Sequence, residues 1–144
     1  MTTAAAATSR FNNIEVTRVR AVIGTALVAV VVNLAIWLIG LAAGGDFMVT
    51  DDVKGPISAA PVGVIVMTVI PIVVGMTAAA LLSLRWGSII RVAQVIGAIL
   101  PIATIAMTIG SDFDGVSTVS LSLMHIVVAA TVVLGLQAIR NKTA

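Results

Sequence analysis

The chain has 144 residues, 60% of them hydrophobic and only 10% charged, with a net charge of +2 and no cysteine. A soluble domain carries roughly 45–50% apolar and about 25% charged residues, and a chain this short leaves too much of its surface in water to hide the excess, so a soluble globule is excluded. The absence of cysteine removes disulfides, thiolate metal sites and cysteine nucleophiles, and basic residues scattered at helix ends without a continuous patch argue against nucleic acid as a partner.

Residues 1–9 are small and uncharged and are expected to be mobile. Phe11, Ile14 and Arg18 share one helical face, so residues 11–20 read either as a short interfacial helix or as a plain extension of the first span. Residues 1–20 form a cytoplasmic N-terminal segment and 21–144 a single membrane domain. A spanning helix needs about 20 mainly apolar residues, and uncharged stretches meet that length four times, at Ala21–Ala43, Val62–Leu84, Val92–Ile109 and Val119–Ile139. In lipid only a helix or a closed barrel pairs every backbone N–H and C=O. The run Val28-Ala29-Val30-Val31-Val32 lacks the alternation of a barrel strand. The predicted fold is an all-α bundle of four transmembrane helices. About 23 apolar residues in the first span exceed the 7–15 of a signal-peptide core, so cleavage is not expected.

Charge orients the spans. Arg10, Arg18, Arg20, Arg85, Arg91, Arg140 and Lys142 fall on one side and only Lys54 on the other, while Asp46, Asp51, Asp52, Asp112 and Asp114 lie opposite the arginines. Basic residues in short loops stay cytoplasmic. Both termini are therefore expected inside the plasma membrane, with residues 46–60 and 110–118 outside. Trp86 suits the inner interface, and Phe47 and Phe113 come just after the outer ends of the first and third spans. The outer aspartates read as solvated charges, with weak Ca²⁺ binding as the one metal-related alternative.

The two halves echo each other. Val22-Ile23-Gly24 resembles Val95-Ile96-Gly97, Gly44-Gly45-Asp46-Phe47 resembles Gly110-Ser111-Asp112-Phe113, and Ile72-Val73-Val74-Gly75 resembles Ile126-Val127-Val128-Ala129. The order suggests two repeated helical hairpins. Helices in lipid associate across small residues. Gly75, Ala79, Ser83 and Gly87 form such a stripe on the second span, and Ala93 and Gly97 begin one on the third, continued by Ala106 and Gly110. These stripes are expected to seat the hairpins on each other, or on a second copy. The short loop between Arg85 and Arg91 makes the second and third spans antiparallel neighbours.

No span holds a charged residue, which weighs against a proton pump or an ion-coupled transporter. The polar exceptions are Asn33, Pro71, Pro101 and His125, one on each span. At about 1.5 Å per residue the first three come near mid-depth, with His125 somewhat further out. Each proline frees a carbonyl four residues back, on Met67 and Gly97, to which Asn33 and His125 could donate. Read structurally, the layer is interhelical glue at about 0.6–2 kcal/mol per bond. Read functionally, it is a pocket for a lipid or quinone-like ligand, with Thr118, Ser122 and His125 forming a polar track on the fourth span. Met67, Met107 and Met124 have no spacing that singles out a haem partner for His125, and no catalytic triad, phosphate loop or dinucleotide fingerprint is present. No cofactor and no metal are expected.

Thr17-Arg18-Val19-Arg20 before the first span, Asn33 with Trp37 within it, Pro101 in the third and Met124-His125-Ile126-Val127-Val128 in the fourth together resemble a family of small actinobacterial four-helix membrane proteins classed as a domain of unknown function. The resemblance covers nearly the whole chain. It implies the fold and a plasma membrane of a high-GC Gram-positive cell, and no activity. The function expected is non-enzymatic: an accessory or scaffold subunit that associates with a larger membrane complex or with itself. The alternatives are the lipid or quinone-like site at Asn33 and His125, and a channel or transporter component, which would need oligomerisation because Ala and Val facing inward pack shut.

Overall fold

The computed structural model describes the backbone of residues 2–143 and the side chains of residues 18–141. The elements run α1 (Thr2–Ala42), β1 (Met48–Asp51), β2 (Gly55–Ser58), α2 (Val62–Leu82), α3 (Ile89–Gly110) and α4 (Gly115–Thr143). Four helical stretches are long and apolar enough to cross a membrane: Arg18–Ala42, Val62–Leu82, Ile89–Gly110 and Gly115–Asn141. They match the predicted spans to within a few residues. The side chains of Phe11 and Ile14 lie outside the described residues.

The helices form because the chain offers long runs whose backbone can be paired only internally. Pro71 and Pro101 sit inside α2 and α3 without ending them. The turn-rich first loop folds further than expected, into a two-stranded antiparallel hairpin pairing Met48 with Ser58 and Asp51 with Gly55. Asp51 makes the turn, its Oδ1 accepting from Val53 N at 3.0 Å and Lys54 N at 2.8 Å. Gly55, at φ 75°, supplies the left-handed residue that closes it.

α4 is the central helix, packing against both α3 and α1, and α1 also carries α2. Three glycines set these approaches. A methyl on Gly135 of α4 would overlap the Thr25 hydroxyl of α1 and come within 2.9 Å of Met76 Cε of α2; one on Gly40 of α1 would overlap Ser120 Oγ of α4; one on Gly97 of α3 would meet Val132 Cγ1 of α4 at 2.5 Å. The expected stripe packing is corrected here. Gly97 does seat a helix, but against α4 instead of α2, and Ala93 packs against the cluster at the basic end. Of the Gly75, Ala79, Ser83 and Gly87 stripe only Ala79 is buried; Gly75 and Gly87 face open space, and Ser83, just past the end of α2, bonds back to Ala80 O. α2 and α3 are joined by the short loop yet meet little. A two-fold relation between hairpins would make the α1–α4 and α3–α2 contacts equivalent, and they are not.

The core is in two parts. Ala29, Ile72, Met76, Leu136 and Ile139 fill the end bearing Arg18 and Arg140. Phe47, Val64 and Met124 fill the acidic end, with Leu34, Trp37 and Leu121 around them. Between the two lies a buried polar pair.

Candidate functional site

That pair is Asn33 and Thr68, 1% and 3% exposed. Asn33 Nδ2 donates to Thr68 Oγ1 at 2.9 Å, tying α1 to α2 at mid-depth. Asn33 Oδ1 is buried and accepts no hydrogen bond. The other members of the expected layer are not joined to it. His125, half-buried, holds Leu121 O through Nδ1 at 2.7 Å within its own helix; a carbonyl only accepts, so this nitrogen carries the proton. Pro71 is exposed and Pro101 half-buried, and the carbonyl of Pro101 accepts from Thr104 Oγ1 at 2.7 Å. Asn33 and His125 therefore do not donate to the carbonyls the prolines release. The polar track on α4 turns back on its backbone as well, with Ser122 Oγ bonding Thr118 O at 2.7 Å.

Because Thr68 is the single hydrogen-bond partner of Asn33, Thr68→Val leaves a whole buried amide unsatisfied. The expected loss is about 1–3 kcal/mol, and combining it with Asn33→Leu recovers most of it. A double-mutant cycle read by equilibrium unfolding in bicelles should show a coupling of about 0.6–2 kcal/mol; additive effects would contradict the pairing.

The acidic end is more tightly organised. Asp114 caps α4: its Oδ1 accepts from Val116 N at 2.8 Å and Ser117 N at 2.9 Å, and its Oδ2 takes the Ser117 hydroxyl and Asp46 N at 3.1 Å. Ser117 Oγ in turn accepts from Phe47 N at 2.9 Å. Asp112 Oδ1 accepts from Thr50 N at 3.0 Å, latching the hairpin onto the loop before α4. Of the aspartates read as solvated charges, Asp112 and Asp114 thus accept hydrogen bonds that tie the 46–60 loop to the 110–118 loop, and Asp51 serves the hairpin turn. Ser117 hydrogen bonds hold the Asp114 carboxyl well below the ordinary carboxylate range, with Asp46 and Val116 N–H groups adding to the effect. The hydroxyl and N–H of Thr50 lower Asp112, and Lys54 and Val53 N–H groups lower Asp51. Among the described residues no three His, Asp or Glu side chains come together as metal ligands.

Residues 14–142 match the family of unknown function DUF6069. The chain belongs to that family. No curated protein and no solved structure matches it. In this DUF6069 protein the matched segment runs from just before the first span to the end of α4, so the family covers the whole bundle and its acidic cap.

The cap makes the DUF6069 chain acid-sensitive in a defined direction. On acidification the unfolded chain takes up the Asp114 proton near 3.8, whereas the folded chain holds the group ionised to lower pH. Its contribution is complete above that value and is lost as pH falls through the folded one. Asp114→Asn is expected to lower the Tm at pH 7 and to flatten the fall in Tm below about pH 4. An undiminished acid dependence in the variant would contradict this role.

Sequence reasoning missed Gly40 and Gly135, the Ser117 link, and a tie between α3 and α4 in which Gln94 Nε2 donates to Gln137 Oε1 at 3.0 Å and Val133 O at 3.1 Å. Two glutamines in otherwise apolar flanks were the available signal for the last.

Proposed function

We propose that this protein is a non-enzymatic accessory or scaffold subunit of an actinobacterial plasma membrane, with both termini in the cytoplasm, that docks α3 against a helix of a larger complex or of a second copy. The observation that supports it is the state of α3. Only 6% of its span is buried, against 28–33% in the other three. Its exposed surface carries Ala103, Ala106 and Gly110, small residues at helical spacing, and a Cβ on Gly110 would meet nothing. Lipid tails gain little from such a surface, whereas another helix gains close backbone approach. The orientation rests on seven basic residues on one side against Lys54 on the other.

Native mass spectrometry after gentle extraction tests it. The expected result is an assembly that Ala106→Phe disperses without lowering the stability of the monomer. A bare monomer under every mild condition would sink the proposal. One observation favours a second reading, a ligand at mid-depth: the unpaired Asn33 Oδ1 asks for a donor. Loss of a co-purifying small molecule in Asn33→Leu would favour that reading.

A further inference from the structure

A groove of about 370 Å³ runs between α1 and α2 at the basic end, lined by Arg18, Val22, Ile23, Val73, Thr77 and Leu84 among others. Apart from Arg18 and Thr77 these side chains are aliphatic. Arg18 is the exception that matters. Its Nε and Nη1 are buried and have no hydrogen-bond partner. A guanidinium keeps its charge in proteins and can only donate, and a buried charge without a partner is among the costlier things a fold can hold.

We propose that this groove binds one anionic phospholipid, an acyl chain lying along α1 and α2 and the phosphate accepting from the Arg18 guanidinium. Two features fit that occupant. The groove is apolar along its length and cationic at one end, which is the polarity of a lipid. It lies where the first span begins, at the level where headgroups meet hydrocarbon. A phosphate oxygen at the groove mouth would give the Arg18 guanidinium the acceptor it lacks. A charge-assisted bond with a planar donor fork is the arrangement that arginine offers phosphate better than lysine does. On the proposed orientation the groove opens to the cytoplasmic leaflet, the one that carries anionic lipid.

Native mass spectrometry of the full chain in mild detergent, titrated with phosphatidylglycerol or with phosphatidylcholine of the same chains, tests the site. The wild type is expected to retain one phosphatidylglycerol, and at concentrations where phosphatidylcholine is lost. Arg18→Gln is expected to weaken retention by about tenfold or more, and Arg20→Gln, which removes the same charge two residues away, to leave it unchanged. Thr77→Phe, at an exposed position that fills the groove, is expected to abolish retention of both lipids while the helical circular dichroism stays intact, which guards against loss through unfolding. Equal retention of the two lipids by the wild type would overturn the proposal, as would equal losses from Arg18→Gln and Arg20→Gln. Competition by glycerol phosphate as effective as by the intact lipid would mean an anion site without a chain. Dissociation of a dimer by Arg18→Gln with no change in lipid would assign the guanidinium to a protein partner instead.

Discussion

Gly135→Val is expected to destabilise the bundle by about 3 kcal/mol or more, while Gly75→Val, where helix propensity slightly favours valine over glycine, is expected to change stability by less than about 0.5 kcal/mol. The two substitutions are chemically identical and both lie within helices, so their difference isolates packing. At Gly135 the first added carbon overlaps the Thr25 hydroxyl and meets Thr25 Cβ at 3.2 Å and Met76 Cε at 2.9 Å. Met76 is flexible and Thr25 Oγ1 can rotate away, but Thr25 Cβ belongs to the α1 framework and is stiffly placed. α1 must therefore move away from α4, which pulls apart the cluster of Ala29, Ile72 and Leu136 that both helices share. At Gly75 the same carbon meets nothing. Equilibrium unfolding in bicelles checks both, and equal losses would show that the α1–α4 approach is not set by Gly135.

Phe47→Ala is expected to cost about 3–5 kcal/mol, and Phe47→Gly about 1 kcal/mol less in spite of its smaller side chain. Phe47 is 1% exposed and plugs the acidic end, its ring against Gly40 and Gly45 and its neighbours Val64 and Met124. It holds this place at φ 55°, a region that bulky residues avoid. The backbone is pinned there from both sides, with Phe47 N donating to Ser117 Oγ at 2.9 Å and Phe47 O accepting from Ala59 N at 2.8 Å. Truncation to alanine empties the plug and keeps the strain; glycine empties it and relieves the strain. A glycine variant less stable than the alanine variant would contradict this role of the loop.

The spans were legible because lipid imposes one dominant demand. Long apolar runs between Arg20 and Asp46, or between Asp114 and Arg140, admit no other reading once backbone pairing is required. Helix contacts were much less legible. Gly75 and Gly97 carry the same sequence signal, a small residue four positions from another, yet Gly97 touches α4 and Gly75 touches nothing. Composition says that a surface is smooth and does not say which neighbour meets it. The polar layer was half legible: Asn33 is buried, but its partner is Thr68, one of many threonines in the spans, and His125 is satisfied locally by Leu121 O. The aspartates of the 46–60 and 110–118 loops were read by charge alone. The role of Asp112 and Asp114 in joining the two loops depends on pairing across 62 to 68 residues of sequence, which no local pattern announces.

The central claim is that four spans place the hairpin on one side of the membrane and the α2–α3 loop and both termini on the other. The chain has no cysteine, so each introduced thiol is unique. Val53, 91% exposed at the hairpin turn, and Ser88 and Asn141, exposed at the opposite end, are the positions to label. With a membrane-impermeant maleimide on intact cells, Val53→Cys is expected to react at once. Ser88→Cys and Asn141→Cys are expected to react only after permeabilisation. Reaction of Ser88→Cys in intact cells, or of Val53→Cys and Asn141→Cys from the same side, would contradict that topology.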